Sequence, residues 1–370
     1  MKRSCETSFV QKPRRAACAV LCAVLSLLMF AGTSCKKEER GSDVPLSPGL
    51  SLIEGSAVYD EGVALKTEHY TVTDGMLAYY FYGYGLSVMQ ELEKTKAFDP
   101  SKNLHNQMYS ETESWYDTIM NAVLAEVCRT LVYCEGASAA GEATLPEEAE
   151  EAIGKQLYAL RFRAAAENSE DLTTYLRRSY GPLICEQDLE TALRYEAIAS
   201  RYSSLLNDRL EGEISAADAL SYAAAHNLSD ETPSRNLEYL IVSGDSEAAV
   251  KENAAAALAA VQKKPQAGAM AELTAFGTAR TEQNMIPENA GVSEIADWLF
   301  ASGRKPGDAG TVTSGGVTFV LLYTGGGVSR GEVRGRMALF DAAYAEWYNT
   351  LVSSLHFGYH YDVIDSYDVS

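Results

Sequence analysis

The residues best able to act as nucleophiles, bases or metal ligands near neutral pH are seven cysteines and five histidines. Cys5, Cys18 and Cys22 lie in the first 34 residues and Cys35 closes a run of small residues, which leaves Cys128, Cys134 and Cys185. Three is an odd number, and the spacing is not that of a zinc site. Cys128 and Cys134 leave two readings open, a disulfide in an oxidising compartment or two buried thiols. Only His356 and His360 are four apart, with no third ligand beside them, so no metal site is expected. No H-E-x-x-H or C-x-x-C occurs, and Gly315-Gly316 and Gly325-Gly326-Gly327 lack the Lys and the following helix of a phosphate loop. Carboxylates are plentiful, yet no pair stands out from a solvated background. Neither a metal nor an organic cofactor is expected.

Cys35 has a different context. Lys2, Arg3, Lys12, Arg14 and Arg15 precede an uncharged run from Ala16 to Cys35 that ends Ala31-Gly32-Thr33-Ser34-Cys35. A basic start, an apolar stretch and small residues before a processing point make an export signal. The small residues stopping at a cysteine resemble the lipobox of bacterial lipoproteins. That resemblance makes residues 1–34 a signal peptide and Cys35 the lipidated first residue of the mature chain. Gly32 departs from it, standing where the lipobox carries an aliphatic residue. An uncleaved anchor is the alternative, because the run is long enough to span a bilayer. Either way the bulk of the chain is placed outside the cytoplasm, facing away from the cell membrane that holds it. Residues 35–50 are polar and Pro/Gly/Ser-containing, which suits a flexible tether. Five basic side chains and one acidic one leave with residues 1–34, so a charge of −20 becomes −24. A balance this acidic excludes nucleic acid as a partner. It suits basic unfolded chains, and it also serves solubility.

Periodicity places the elements around these residues. Val63-Ala64-Leu65 and Tyr70-Thr71-Val72-Thr73 read as short strands, and Thr73 or Asp74 caps a helix carrying Tyr79, Tyr80, Phe81 and Tyr82. Residues 111–133 read as a helix with Trp115, Ile119, Val123 and Val127 on one face, and residues 135–146 break the pattern. Helices follow from Pro146, over 169–180 and from Glu186, the last with Ala192, Tyr195, Ala199, Tyr202 and Leu206 in one stripe. Residues 236–242 (NLEYLIV) and 317–323 (VTFVLLY) are strands, separated by an Ala-rich helix over 246–261 and an apolar helical turn at Trp298-Leu299-Phe300. A final helix over 333–355 carries Met337, Phe340, Tyr344, Trp347 and Leu351. The fold class expected is mainly α with a small α+β insert.

This layout is similar to that of the extracytoplasmic foldases of the SurA and PrsA type, in which a helical chaperone domain built from both ends of the chain brackets a parvulin domain. Tyr180-Gly181-Pro182, Glu186, Asp188-Leu189, Ala199, Arg201 and Tyr202 resemble the family's helix pair. Residues 235–324 resemble a parvulin frame, and 295–300 with Lys305-Pro306-Gly307-Asp308 resemble the run before its last strand. The resemblance implies a helical chaperone domain over 51–230, a parvulin-like antiparallel-sheet domain over 231–328, and a C-terminal segment, 329–370, that completes the helical domain. It also implies a prolyl isomerase site with a His on the first strand, a His on the last and a Cys or Asp between. Aligned on those strands, Tyr239 and Thr318 take the two His positions. No Cys or His lies between residues 236 and 323. Met270, Leu273, Phe276, Trp298, Phe300 and Phe319 are the residues available to line a proline-sized slot.

Three functions follow as expectations. The first is a lipid-anchored foldase or chaperone that holds unfolded or nascent exported polypeptides, its isomerase activity weakened or lost, with exposed tyrosines such as Tyr79–Tyr82 as the holding surface. The second is an active prolyl cis-trans isomerase of the parvulin type with a non-standard site built on Tyr239 and Thr318. The third is a non-catalytic binding lipoprotein of the cell envelope.

Overall fold

The computed structural model describes residues 62–94, 96, 98–99, 101–168, 170–359 and 364. The segments read above as a signal peptide (1–34), its following Cys35 and a tether (35–50) lie outside the described residues. Among those described, no helix is long and apolar enough to cross a membrane. The chain is mainly helical with two small antiparallel sheets, and it divides into two compact units. One unit holds the residues up to Asn207 and those from Glu346 on, and the other is Asp208–Ala345.

The helical unit opens with the antiparallel pair β1 (Val63–Lys66) and β2 (Thr71–Thr73). Thr73 leaves its strand extended, and its hydroxyl accepts from the Met76 amide at 3.1 Å, capping α1 (Asp74–Tyr80). The same hydroxyl donates to Asp188 at 2.6 Å. Asp188 comes so close that a Cβ on Gly75 would lie 2.2 Å from its Oδ2, so the position takes no side chain. A π-helical turn, Phe81–Gly85, leads into α2 (Leu86–Leu92).

Helix α3 (Trp115–Ala139) is the axis of this unit, started by a capping box between Ser114 and Asp117. Trp115, Ile119, Val123 and Val127 are all buried, as their spacing predicts. The helix runs six residues past the predicted end because Glu135-Gly136-Ala137 are packed rather than solvated. A Cβ on Gly136 would lie 2.8 Å from the Tyr202 ring and 3.0 Å from the Trp347 ring. Around it stand α4 (Glu147–Asn168), α5 (Leu172–Tyr180) and α6 (Glu186–Glu213). Gly181, at φ +85°, ends α5 where a side chain would be strained.

The second unit contains α7 (Ala216–Ala225), β3 (Pro233–Val242), α8 (Glu247–Lys263), a 3-10 segment over Met270–Phe276, β4 (Gly277–Met285), α9 (Ser293–Phe300), β5 (Ala309–Ser314) and β6 (Val317–Ser329). The strands form one antiparallel sheet in the order β4-β3-β6-β5. Helix α8 covers one face, where Leu240, Val242, Val320 and Leu322 meet Ala254, Ala257 and Val261. Helix α9 covers the other, where Leu237, Leu321 and Tyr323 meet Ile295 and Leu299. With both faces buried, β3 and β6 read as unbroken apolar runs. The flanking strands β4 and β5 carry polar, half-exposed residues and escape a reading based on apolar pattern.

Helix α10 (Arg330–Ser354) begins in the sheet unit. Arg336 Nη1 donates to the Ile214 carbonyl at 2.7 Å, and a Cβ on Gly335 would lie 2.0 Å from the Ala219 carbonyl oxygen. Helix α7 is therefore packed with the sheet unit, although the sequence assigns residues up to 230 to the helical body. From Glu346 on, the chain belongs to the helical unit: Trp347 stacks on Tyr133 at 5.6 Å, and β7 (Gly358–Tyr359) pairs with β1. Both ends of the described chain thus build the helical unit.

The ring contacts at Gly136 reverse the usual sign of a helix Gly→Ala change, which otherwise stabilises by about 1 kcal/mol. Gly136→Ala is expected to lower stability by about 1–3 kcal/mol through overpacking, read as a lower midpoint in urea unfolding.

Candidate functional site

Side chains on a strand alternate between faces, and strands β3 and β6 set which residues can meet. Tyr239 is paired with Leu321 and Ile241 with Phe319, so these four share the α9 face. Thr318 lies one residue out of phase, with Val320 and Leu322 on the α8 face, and its hydroxyl is 3.2 Å from that of Thr313 across the β5–β6 pair. Tyr239 and Thr318 point to opposite sides of the sheet and do not form the pair that the strand alignment implied. The β6 residue that meets Tyr239 is Phe319, with ring centroids 6.0 Å apart and ring planes inclined at 65°, edge to face. A one-residue change of phase is enough to move a side chain to the other face.

The six slot candidates divide the same way. Met270, Leu273 and Phe276 pack on the α8 face. Trp298, Phe300 and Phe319 pack on the α9 face. A single slot lined by all six does not form. Met270 is fully buried in its core, and Phe319 is nearly so. Trp298 lies flat over the backbone of Gly310, where a Cβ would come within 2.4 Å of its Nε1, and the Arg304 guanidinium sits 4.0 Å above its ring. Phe300 carries the guanidinium groups of Arg235 and Arg330 at 5.4 and 5.2 Å.

What the α9 face offers at its half-open end is Tyr239, Glu282, Arg280, Ile241 and Phe319. Burial raises the Tyr239 hydroxyl above its usual range, and the nearby Glu282 carboxylate adds to the rise. Burial also raises Glu282, while its hydrogen bond to Tyr239 and the Arg280 charge pull it back. The phenol therefore stays protonated and donates. This surface can hold an apolar ring and hydrogen-bond a backbone group. It presents no imidazole and no thiol.

Glu238, on the opposite face, is a residue with no sequence signal. It is buried, its carboxylate oxygens accepting from the Gly268 amide at 2.6 Å and the Met270 amide at 3.3 Å, which pins the segment after α8. A G-x-S-x-G run, Gly327-Val328-Ser329-Arg330-Gly331, crosses from β6 into α10. Ser329 lacks the positive φ of a nucleophile elbow, and its hydroxyl accepts from the Glu332 amide at 3.1 Å as a helix cap. The amides of Arg330 and Gly331 donate to the Thr232 and Asp230 carbonyls, so no oxyanion hole is open there.

In the helical unit, Tyr79, Tyr80 and Phe81 are buried, and only Tyr82 is half-exposed. The expectation that Tyr79–Tyr82 make a holding surface is overturned: these rings are core. Cys128 and Cys134 are buried free thiols on one helix, and burial pushes Cys128 up to about 11 and Cys134 higher still, which leaves both inert at neutral pH. His356 is exposed and His360 lies outside the described residues. The His69 ring nitrogen Nδ1 sits 2.7 Å from the buried carboxylate of Glu135, a link that ties the β1–β2 turn to α3.

No protein-family model and no curated protein matches this chain. Solved structures similar to it include PrsA from Bacillus subtilis, 12% identical, with 72% of this chain and 94% of that one covered at a TM-score of 0.30. Foldase protein PrsA from Streptococcus pneumoniae is 13% identical over 67% and 89% at 0.28. Foldase protein PrsA from Lactococcus lactis is 12% identical over 79% and 89% at 0.25. The fold described above rests on this chain's own strands and helices.

The tyrosine cluster encloses one titratable group. Burial pushes the Glu196 carboxyl up to about 8 and the charge of Glu126 adds to the rise, outweighing its hydrogen bonds to Tyr80 and Tyr79. A carboxyl raised in the folded state leaves stability undiminished below its ordinary range and lowers it as pH climbs toward 8. Glu196→Gln is expected to exceed the wild type in urea unfolding by no more than about 1 kcal/mol at pH 5 and by roughly 3–5 kcal/mol at pH 9.

Proposed function

We propose that this chain is a lipid-anchored extracytoplasmic foldase that acts as a chaperone for unfolded exported polypeptides, with a parvulin-like unit that has lost prolyl isomerisation. The supporting observation is the arrangement of the chain: a helical unit built from both ends, interrupted by a four-stranded sheet unit. That is the order the foldase resemblance calls for, and the solved structures similar to this chain are named as foldases and a peptidylprolyl isomerase. The export signal and Cys35 supply the location and the anchor in this reading.

The chemistry of the α9 face supports the loss of isomerisation in this reading. Rotation about an X–Pro bond meets a barrier of roughly 18–20 kcal/mol, and a catalyst must bind the twisted amide better than either planar form. Tyr239 and Phe319 are packed edge to face in place of two polar groups converging on one substrate. The sheet is then a scaffold, and holding falls to the surfaces of the chain.

Full-length protein in detergent is expected to lower the light scattering of a chemically unfolded basic protein as it is diluted from denaturant. It should do so without ATP and without a proline in the client. Unchanged scattering at equimolar ratio would reject the chaperone reading.

A further inference from the structure

Helix α4 presents to solvent two aromatic side chains that no other described residue covers. Tyr158 and Phe162 are each 68% exposed. Four residues apart, they stand one above the other on the same helix face. The core-facing side is complete without them, with Ile153, Leu157, Leu160 and Ala164 buried. Large exposed rings grouped in this way mark an interaction surface more often than isolated apolar residues do.

The same helix face carries charge of one net sign. Glu147, Glu148, Glu151 and Lys155 share it with the two rings, by the 3.6-residue period. Lys155 is paired with Glu151, and the two arginines of the helix are paired with Glu186 and Glu167. Glu147 and Glu148 are exposed and have no ion pair among the described residues. Every cation of helix α4 is therefore paired, and the charge on this face without an ion pair is negative, in a chain of net charge −20. Open aromatic faces attract Lys and Arg through the ring quadrupole, and flanking carboxylates add to that attraction.

Building on the foldase reading, we infer that the Tyr158–Phe162 face of helix α4 is a docking site for cationic, extended segments of unfolded polypeptides. The rings take the apolar side chains and the stems of neighbouring Lys or Arg residues, and the acidic first turn of the helix takes the charge. The face thereby selects basic stretches over acidic ones in its clients.

The test uses the full-length chain in detergent and two fluorescent unstructured peptides of the same apolar composition, one carrying lysines and the other glutamates at the same positions. Fluorescence anisotropy is expected to show binding of the lysine peptide that weakens with salt, and about tenfold weaker binding of the glutamate peptide. The double variant Tyr158→Ser/Phe162→Ser, at exposed positions, is expected to weaken lysine-peptide binding about tenfold with an unchanged circular dichroism spectrum. Glu147→Gln/Glu148→Gln is expected to flatten the salt dependence. Equal binding of both peptides, or lysine-peptide binding that survives the double variant, would overturn the site. So would conversion of a dimer to a monomer by the double variant, which would assign the face to a second copy of the chain. Aggregation suppression by the wild type that the double variant matches would sink this site while leaving the foldase reading standing. Wild-type protein that fails to suppress aggregation at all would sink that reading first.

Discussion

The pairing of β3 with β6 decides what the sheet unit can do. Both strands are covered on both faces, so alternate residues of one short segment belong to two different cores. Tyr239, Ile241, Phe319 and Leu321 face α9, while Leu240, Val242, Val320 and Leu322 face α8. Nothing on one face can act in concert with anything on the other. The two residues implied in catalysis and the six implied in a proline slot divide between these faces four against four. A slip of one residue would turn both cores to the wrong side at once, so the register is held by the burial of the whole sheet.

The helical unit obeys a different constraint, the closeness of its rings to backbone. Gly136 lets Tyr202 and Trp347 reach the axis helix α3, and Gly75 lets Asp188 reach the start of α1. These approaches bring residues from the two ends of the chain against one helix, and β7 completes the closure on β1. Tyr79, Tyr80 and Phe81, which a composition argument would place on a sticky surface, are in the core here, with the half-buried Glu196 hydrogen-bonded to Tyr79 and Tyr80. The most exposed aromatic side chains among the described residues are Tyr158 and Phe162 on α4.

Much of this was legible in the amino-acid sequence because it depends on period. The stripe from Trp115 to Val127 and the apolar runs of β3 and β6 announce their elements, and the run from helices to sheet and back gives the fold class. Strands β4 and β5 were not legible, since their half-exposed polar residues carry no alternation strong enough to mark a strand. The end of α3 was missed for a related reason: Gly136 and its small neighbours look like a break until the rings that fill the space are known. The site was misaligned at Thr318 because a strand alignment drawn by family likeness fixes neither phase nor face. Tyr79, Tyr80 and Phe81 show the same limit, since helix periodicity says that residues share a face and not whether that face meets water. The export signal and lipidated Cys35 expected from the sequence fall in residues 1–61, outside the described residues.

The central claim is that the α9 face of the sheet is scaffold and catalyses no X–Pro rotation. Exchange NMR on an Ala-Pro peptide with catalytic amounts of the full-length protein in detergent tests it most directly. Uncatalysed isomerisation takes tens to hundreds of seconds at 25 °C, so a small acceleration is visible against it. The account predicts an exchange rate equal to that of the peptide alone. Accelerated exchange that Tyr239→Phe or Glu282→Gln abolishes would contradict it and would make the Tyr239–Glu282 pair a working site.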